Sequence, residues 1–377
     1  MTPRRYQLRK EAAAIVRGGH PWVFREQMSS AASVFRDGAW LRLVDGGNRV
    51  AGYGMYETEG AIAIRVLRVG EAPPDAAWLR DQLARAAAKR AALLEETDAL
   101  RIVHGESDGV PAVVADRFGD TLVVASYAAG AEALARYVAH ASDAPNVLVR
   151  PARRRHAPAA APRTLRGTAR EVVTFREGAL AFAVDLAAGH KTGTYLDLRG
   201  LRRALAAAPL HGARVLNLFA YTGMLGRAAE AAGAAHVTHV DASERALAFA
   251  AAHHVGDPAR HRFVAADVFA WLPALDPAEQ FDLVIADPPA MTSRRAQVGQ
   301  ALAAYRRLYT AAARHVRPGG ALVAACCTSR IERPEFRRTV QGALGAGFVL
   351  DRELPTEPDH PVGFAQADYL KILWFKH

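Results

Sequence analysis

Acidic residues and a cysteine follow successive strand-like runs in the second half of the chain. Asp241, Asp267 and Asp287 each end or follow a different run, and Cys327 follows another. Carboxylate oxygens can accept hydrogen bonds from the hydroxyl and amino groups of a ligand, and a cysteine thiolate can act as a nucleophile. Asp241 alone could instead be a helix cap, any one of the aspartates a structural turn, and the cysteine a buried core residue. The three aspartates and the loop of residues 219–223 occupy four successive strand ends in order, which favours a binding site.

The loop after the first of these runs contains a single glycine. It is Phe219-Ala-Tyr-Thr-Gly223, whereas a dinucleotide site needs G-x-G-x-x-G so that the backbone can close on a pyrophosphate. S-adenosylmethionine has no phosphate, and one glycine lets the backbone approach its methionine moiety. The loop therefore disfavours a dehydrogenase. Asp241 would take the ribose hydroxyls of such a ligand, and Asp267 the adenine amino group. The sequence has no metal-ligand spacing.

The elements that must position these residues alternate between strand-like and helical runs from about residue 212. We predict helices near residues 224–232, 243–254 and 295–316, and strands at residues 214–219, 236–241, 262–265, 281–287 and 321–325. This alternation specifies a parallel sheet with helices on both faces. Ligands bind at the carboxyl ends of the strands in such a sheet, where all four residues are expected.

The first half of the chain predicts two smaller modules. Short alternating runs indicate a β-rich module, followed by a helix at about residues 78–96 and further short strands. We therefore expect three domains, with residues 1–71, 72–182 and 183–377. Residues 150–170 are rich in Arg, Ala and Pro and lack acidic residues. They predict a mobile loop that is either a basic arm on RNA phosphates or a tolerated insertion.

The composition limits which kind of binding partner and which cellular compartment the protein can be expected to have. A net charge of +10 suits a polyanion such as nucleic acid, although an Arg-rich and Ala-rich composition would also produce it. No apolar run reaches the roughly 18 residues of a membrane helix, and the N-terminus shows no export signal. The two cysteines, Cys326 and Cys327, are adjacent and cannot form an unstrained disulfide within a strand. These features predict a cytoplasmic protein without a membrane span.

Several long strings resemble those of the bacterial 23S rRNA 5-methylcytosine methyltransferases, which are class I S-adenosylmethionine-dependent enzymes with an N-terminal PUA domain. The resemblance covers nearly the whole chain. Its strings are Gly19-His-Pro-Trp-Val-Phe24, residues 103–111 and 116–119, Gly189-His-Lys-Thr-Gly193, Tyr195-Leu-Asp-Leu-Arg199, residues 216–223, Asp287-Pro-Pro289, Cys327, Asp359-His-Pro361 and Tyr369-Leu-Lys371. The implied fold is α/β, with a PUA-like barrel, an α+β middle domain and a C-terminal Rossmann-like methyltransferase sheet.

The resemblance also implies a cofactor, a partner and site residues. S-adenosylmethionine would be the cofactor, and 23S rRNA or a large-subunit particle the partner. Expected cofactor-binding residues are Lys191, Tyr195, Asp197, Asn217, Phe219, Ala220, Thr222, Gly223, Asp241, Ala242, Asp267, Val268, Asp287 and Pro288. Expected RNA-binding residues are Arg9, His20, Trp22, Arg150, Arg153, Arg154 and Arg155. The sequence leaves open whether the chain forms a homodimer.

The chemistry of the family would make Cys327 and Asp287 catalytic. A thiolate that adds to carbon 6 of cytosine turns carbon 5 into a nucleophile for the methyl sulfonium, and elimination then releases the enzyme. Asp287 would hold N3 and the exocyclic amine. Cys326 should point the other way and be structural. The target base must be exposed first, and the candidates to stack on it are Tyr221, Met291 and Tyr305.

The sequence departs from the family pattern in three ways. Ala290 and Met291 replace the Lys and large residue that usually follow Asp-Pro-Pro, Cys326 and Thr328 replace the serines around Cys327, and Leu198 stands where Gln is common. They leave the methylated base open. Alternatives are transfer to an exocyclic amine, which the lack of an aromatic ring at Ala290 weakens, transfer to a small molecule, and a catalytically silent RNA-binding or ribosome-assembly protein.

Overall fold

The computed structural model describes residues 3–29, 34–151, 162–168, 170–187, 192–292 and 294–377. The chain divides into two compact units. The first unit comprises Met1–Glu177, Val184–Leu196 and Pro358–Phe364, and the second comprises Gly178–Ala183, Asp197–Glu357 and Ala365–His377. The predicted boundaries of three domains, near residues 71 and 182, stay predictions. Within the described ranges, no helix is both long and apolar enough to cross a membrane.

The first unit begins with a five-stranded sheet in the order β1-β3-β4-β5-β2. Its elements are β1 Arg4–Gln7, α1 Lys10–Arg17, β2 Trp22–Phe24, β3 Trp40–Val44, β4 Val50–Tyr56 and β5 Ile62–Val69. Helix α1 buries Ala12, Ala13 and Val16 in the core of this sheet. These spacings place three small or branched residues on one helical face.

A second five-stranded sheet of this unit has the order β10-β9-β8-β7-β6. Its elements are α2 Ala76–Arg90, α3 Leu93–Glu96, β6 Ala99–His104, β7 Val113–Phe118, β8 Thr121–Ser126, α4 Glu132–Ala141, β9 Asn146–Arg150 and β10 Arg163–Arg166. Asp75 caps α2 by accepting a 2.8 Å hydrogen bond from Trp78 N. Strands β11 Val172–Glu177 and β12 Leu180–Asp185 form a separate two-stranded sheet.

The second unit contains a seven-stranded sheet in the order β15-β14-β13-β16-β17-β19-β18. Its elements are α5 Arg199–Ala206, β13 Arg214–Leu218, α6 Met224–Ala231, β14 His236–Asp241, α7 Glu244–His253, β15 His261–Ala265, α8 Val268–Ala274, β16 Phe281–Ala286, α9 Val298–Ala313, β17 Val316–Cys327, α10 Arg333–Leu344, β18 Val349–Leu354 and β19 Leu370–Lys376. Strands β13 to β17 pair in parallel, and β19 is antiparallel to both β17 and β18. The predicted Rossmann-like sheet is confirmed.

Alternation along the strands separates the two faces of this sheet. Leu216, Leu218 and Cys326 belong to a core that includes residues of α8, α9 and α10. The residues between them along each strand face the opposite side of the sheet, where His239 packs against Gly226 of α6. Helices therefore cover both faces, so the carboxyl edge of the parallel strands is left to carry a site.

Candidate active site

The loop after β13 has an unusual backbone conformation. Phe219 and Tyr221 have positive φ angles of 57° and 47°, which few residues other than glycine adopt. Ala220 N donates to Val240 O at 3.0 Å, and Gly223 N donates to Ala220 O at 2.8 Å. Backbone strain of this kind persists where surrounding contacts fix it, and it is concentrated at functional sites.

Asp241 fixes this loop at the end of β14. Its two carboxylate oxygens accept backbone hydrogen bonds of 2.8 Å from Tyr221 N and 2.8 Å from Ser243 N. A carboxylate has about four lone-pair sites, so Asp241 retains acceptor capacity for ligand hydroxyls. Its neighbour Ala242 is exposed.

The next strand end carries Asp267 and Val268. Asp267 is exposed and caps α8 by accepting a 2.9 Å hydrogen bond from Phe269 N. Val268 is buried in the core beside the sheet. Asp267 is therefore a helix cap that was not predicted from the sequence, and its second carboxylate oxygen is available to a ligand.

Asp287, Pro288 and Cys327 lie at neighbouring strand ends. Strands β16 and β17 are parallel, with Ala286 opposite Ala324, so the residues that follow them share one edge. Cys327 Sγ lies 3.5 Å from Pro288 O. Strand β17 also runs further than predicted, through Cys327 itself, because Cys327 pairs with Leu370 of the antiparallel β19.

The two cysteines have different environments. Cys326 is fully buried in the core, as predicted, and Cys327 is partly exposed. Burial raises the pKa of the Cys326 thiol, and the nearby Asp287 carboxylate adds to the effect. A buried neutral thiol is a poor nucleophile, so Cys327 is the better candidate of the pair.

Asn217 belongs to a buried polar chain behind the loop. Its Nδ2 lies 3.3 Å from His239 Nδ1, and His239 Nε2 lies 2.9 Å from His261 Nδ1. Burial lowers the pKa of His239 to about 3, so the ring is neutral and its Nδ1 accepts the amide proton. The Asn217 side chain is thereby oriented, and its buried Oδ1 accepts no hydrogen bond from the described residues.

Thr222 is held by a histidine that the sequence did not single out. His254 Nδ1 donates to Thr222 O, and His254 Nε2 accepts a 2.9 Å hydrogen bond from Ala183 N. Burial lowers the pKa of His254 to about 4, although its hydrogen bonds to backbone carbonyls partly offset this. A histidine directly after a helix gives no sign of such a role in the sequence.

Asp197 is buried before α5, and its Oδ2 accepts a 2.7 Å hydrogen bond from the Tyr369 hydroxyl. Tyr195 belongs to the other compact unit, and Lys191 lies outside the described residues.

Sequence reasoning also gave no role to Lys371, which is buried beside the cysteines. Its signal was a lysine within the otherwise apolar run of residues 370–375, in a chain whose basic residues are mostly arginine.

The stacking candidates are now distinguished by their exposure. Tyr305 is fully buried in the core of the second unit, so its proposed role as a stacking partner is wrong. It faces the core because α9 buries this side against the sheet. Tyr221 and Met291 are both partly exposed, so they can still reach a base.

The predicted RNA-binding residues that the structure describes are Arg9, His20, Trp22 and Arg150. His20 and Trp22 join Phe24 and Phe364 in a partly exposed aromatic cluster, in which Trp22 and Phe364 have ring centroids 4.8 Å apart. Arg9 is exposed at the start of α1. Arg150 is partly exposed and donates to the Leu186 carbonyl. Arg153, Arg154 and Arg155 lie outside the described residues.

The edge of the sheet suits S-adenosylmethionine. The loop has no cradle of glycines for phosphate, and a Cβ on Gly223 would lie 2.8 Å from the Cβ of Ala250, so the loop packs tightly at its one glycine. Asp241 offers acceptors for ribose hydroxyls, Asp267 for an amino group, and Asn217 has an unused amide oxygen. This set of acceptors matches a nucleoside that carries no phosphate.

Comparison with known proteins agrees with this geometry. A family model described as S-adenosylmethionine-dependent methyltransferase matches residues 121–376, and one described as PUA-like domain matches residues 7–68. A ribosomal RNA large subunit methyltransferase from Deinococcus radiodurans is 34% identical over 99% of this chain and 97% of that protein. The ribosomal RNA large subunit methyltransferase I of Shewanella amazonensis is 31% identical over 94% of each chain.

Solved structures show the same fold. SMU.776 in complex with S-adenosylhomocysteine gives a TM-score of 0.83 at 20% identity, covering 99% of this chain and 100% of that chain. A protein from Streptococcus mutans assigned as a SAM-dependent methyltransferase gives 0.82 at 20% identity, with the same coverage. The resemblance found in the sequence is confirmed. The chain belongs to the S-adenosylmethionine-dependent methyltransferase family, carries a PUA-like N-terminal domain, and uses S-adenosylmethionine as its cofactor.

Proposed function

We propose that this methyltransferase forms 5-methylcytosine in 23S rRNA, in the cytoplasm, through a covalent adduct with Cys327. The observation that carries the proposal is the 3.5 Å separation between Cys327 Sγ and Pro288 O. It brings the partly exposed thiol next to Asp287-Pro-Pro289, at the edge that carries the candidate cofactor residues Asp241 and Asp267. The names of the relatives from Deinococcus and Shewanella support ribosomal RNA of the large subunit as the substrate.

Different residues at this edge would bind the cofactor and the target base. Asn217, Asp241 and Asp267 would hold S-adenosylmethionine together with the backbone of residues 219–223, and Asp197, Tyr195 and Lys191 are further candidates. The bound cofactor supplies an electrophilic methyl group on a sulfonium. Asp287 would hold N3 and the exocyclic amine of the cytosine, which orients the ring toward Cys327.

Cys327 would perform the covalent part of the reaction. Its thiolate adds to carbon 6, forming the Sγ–C6 bond and making carbon 5 nucleophilic. After carbon 5 is methylated, a base removes its proton and the Sγ–C6 bond breaks, which restores the thiolate. Ala290 supplies no ring to stack beneath an exocyclic amine, so the residues after Asp287-Pro-Pro289 favour this reaction over amine methylation.

RNA binding would come from the first unit. The partly exposed rings of His20, Trp22, Phe24 and Phe364 offer faces or edges to unpaired bases, and Arg9 offers a cation to phosphate. The net charge of +10 supports a polyanionic substrate. Binding that depends on phosphate contacts must weaken steeply as salt concentration rises.

The test compares three variants in one assay. The protein is incubated with S-adenosylmethionine labelled in its methyl group and with 23S rRNA or large ribosomal subunits, and the digested RNA is analysed for labelled nucleosides. We expect label in 5-methylcytosine with the wild type and with Cys326→Ser, which is the matched control because Cys326 is buried. Label should disappear with Cys327→Ser and Cys327→Ala.

Each other result has a definite meaning. Label in a different nucleoside that persists in Cys327→Ser would refute the covalent mechanism and leave the cofactor assignment intact. Absence of transfer to naked rRNA and to subunits, in a protein that binds S-adenosylmethionine, would refute the substrate. Absence of both transfer and cofactor binding would favour a silent RNA-binding protein.

A further inference from the structure

The chain between residues 288 and 331 contains seven arginines and neither aspartate nor glutamate. This segment begins directly after Asp287 and includes Cys327, so it supplies the loops that follow β16 and β17. Of its arginines, Arg294 and Arg295 are the nearest in sequence to Asp287, and both are exposed. The segment therefore places two adjacent positive charges on a loop of the candidate active site.

Arg294 and Arg295 have no anionic partner in the part of the chain that the structure describes. Arg317 of the same segment, by contrast, pairs with Asp282 near the opposite end of these strands. A guanidinium carries five donors in a planar fork that matches the oxygens of a phosphate. The two exposed side chains can therefore accept an anion from outside the protein without breaking an internal ion pair.

Two buried threonines hold the loop of these arginines against the loop of Cys327. Thr328, which directly follows Cys327, donates from its hydroxyl to Thr292 O at 2.9 Å. The Thr292 hydroxyl in turn donates to Arg294 O at 2.9 Å and accepts from Arg294 N at 3.0 Å. Both threonines are 5% exposed, so these hydrogen bonds are largely shielded from water. The backbone of Arg294 is thereby fixed close to the thiol.

The position of the two cations suits the phosphates of a single RNA strand. A base that receives a methyl group at this edge must first leave its stack, so the phosphates that flank it must lie at the loops around the thiol. Phosphate contacts fix the register and orientation of a strand. The partly exposed Met291, which can contact the base, lies three residues before Arg294. Base and phosphate contacts can therefore come from the same loop.

We propose that Arg294 and Arg295 bind the phosphates that flank the target nucleotide in a single-stranded segment of RNA. They add a contact on the second unit to the RNA-binding residues of the first unit, and neither was among the RNA-binding residues expected from the sequence. The inference rests on RNA as the substrate of the proposed function. It does not depend on the nucleophilic role of Cys327.

The test measures RNA binding by the full chain without cofactor. A fluorescent single-stranded oligocytidine of about twelve nucleotides, within the range of known site sizes, is titrated with protein, and its anisotropy is recorded at several salt concentrations. The first double variant is Arg294→Gln with Arg295→Gln, which removes both charges and keeps polar side chains. The second is Arg294→Lys with Arg295→Lys, which keeps the charges.

A matched control removes two charges elsewhere on the same segment. Arg306→Gln with Arg307→Gln changes another adjacent, exposed pair on α9 that forms no ion pair among the described residues. Because α9 leads from the end of β16 back to the start of β17, this pair lies about 12 Å from the start of the helix, toward the other edge of the sheet.

The expected loss follows from the salt dependence of phosphate binding. Each contact with a single strand adds about 0.7 to the slope of log affinity against log salt. The glutamine double variant should lower this slope by about 1.4, which corresponds at 0.1 M salt to about 25-fold weaker binding, with equal binding near 1 M. The lysine double variant should keep the slope. The control should weaken binding less than about twofold, since charges more than about 10 Å from the strand are screened at 0.1 M salt.

Four results would overturn the inference. They are a wild type without salt-dependent binding, a glutamine double variant that binds with the affinity and slope of the wild type, a lysine double variant that loses the slope, and an equal loss in the control. Affinity for S-adenosylmethionine, measured by calorimetry, should be unchanged, and a loss there without a loss of RNA binding would assign the arginines to the cofactor. Failure of the proposed function is read separately, because absence of 5-methylcytosine would refute the product without changing these affinities.

Discussion

Acidification should destabilise the second unit through two buried histidines that lie behind the cofactor loop. Burial lowers the pKa of His239 to about 3 and that of His254 to about 4, from 6.5. Their stabilising effect is complete above pH 6.5, where both states of the protein are neutral at these rings. As pH falls below 6.5, the unfolded state binds protons that the folded state does not, so the stability is lost toward pH 4 and 3.

The size of the effect follows from these values. One unit of pKa difference corresponds to about 1.4 kcal/mol. At pH 5, which lies 1.5 below the unfolded value, each histidine therefore lowers the free energy of unfolding by about 2 kcal/mol relative to pH 7.5. The two together remove about 4 kcal/mol, a large part of the roughly 5–15 kcal/mol that stabilises a typical protein.

The assay isolates His254 by substitution. Urea unfolding of the second unit is followed at pH 7.5, 6 and 5 by hydrogen-exchange mass spectrometry of peptides from β13 to α7. His254→Gln cannot be protonated, so it should lose about 2 kcal/mol less stability over this range than the wild type. His253→Gln is the matched control, because His253 is the exposed neighbour, and it should behave as the wild type does.

The reasoning would be refuted if His254→Gln kept the full pH dependence of the wild type. His253→Gln is expected to keep the pH dependence of the wild type, because it leaves both buried histidines in place.

Three further substitutions, of which Gly212→Ala is a control, test the loop and its support. Gly223 has a φ of 76°, and an added Cβ would lie 2.8 Å from Ala250, whereas Gly212 has a φ of 74° with open space around it. Gly212→Ala should therefore cost about 1 kcal/mol in thermal unfolding and Gly223→Ala roughly 2–4 kcal/mol, with loss of cofactor affinity only in the latter. Tyr369→Phe removes the hydroxyl that binds Asp197. It should lower the free energy of unfolding by about 1 kcal/mol and weaken S-adenosylmethionine binding several-fold, as measured by calorimetry. Unchanged affinity would exclude Asp197 from the site.

Local sequence patterns were sufficient for the parallel part of the sheet. The helices predicted near residues 224–232 and 243–254 are observed as Met224–Ala231 and Glu244–His253. These runs are predictable because a strand–helix alternation fixes a parallel sheet, and the residues after its strands must then meet at one edge. The opposite environments of Cys326 and Cys327 follow in the same way from the alternation of side chains along a strand.

The sequence did not reveal which distant groups support those residues. Tyr369 reaches Asp197 across 172 positions, and Lys371 reaches the end of β17 because β19 inserts antiparallel between β17 and β18. The link from Asn217 to His239 similarly depends on the pairing of β13 with β14.

The sequence by itself therefore determined the fold class, the family and the edge of the sheet that carries the candidate site, because these depend on local periodicity and on short strings of residues. Only the tertiary structure decided that Tyr305 is buried, that Cys327 ends a paired strand, and that Lys371 pairs with Cys326 and donates to the Thr328 carbonyl. Such contacts depend on the order in which strands assemble and on burial against distant elements. Neither is encoded in the spacing of nearby residues.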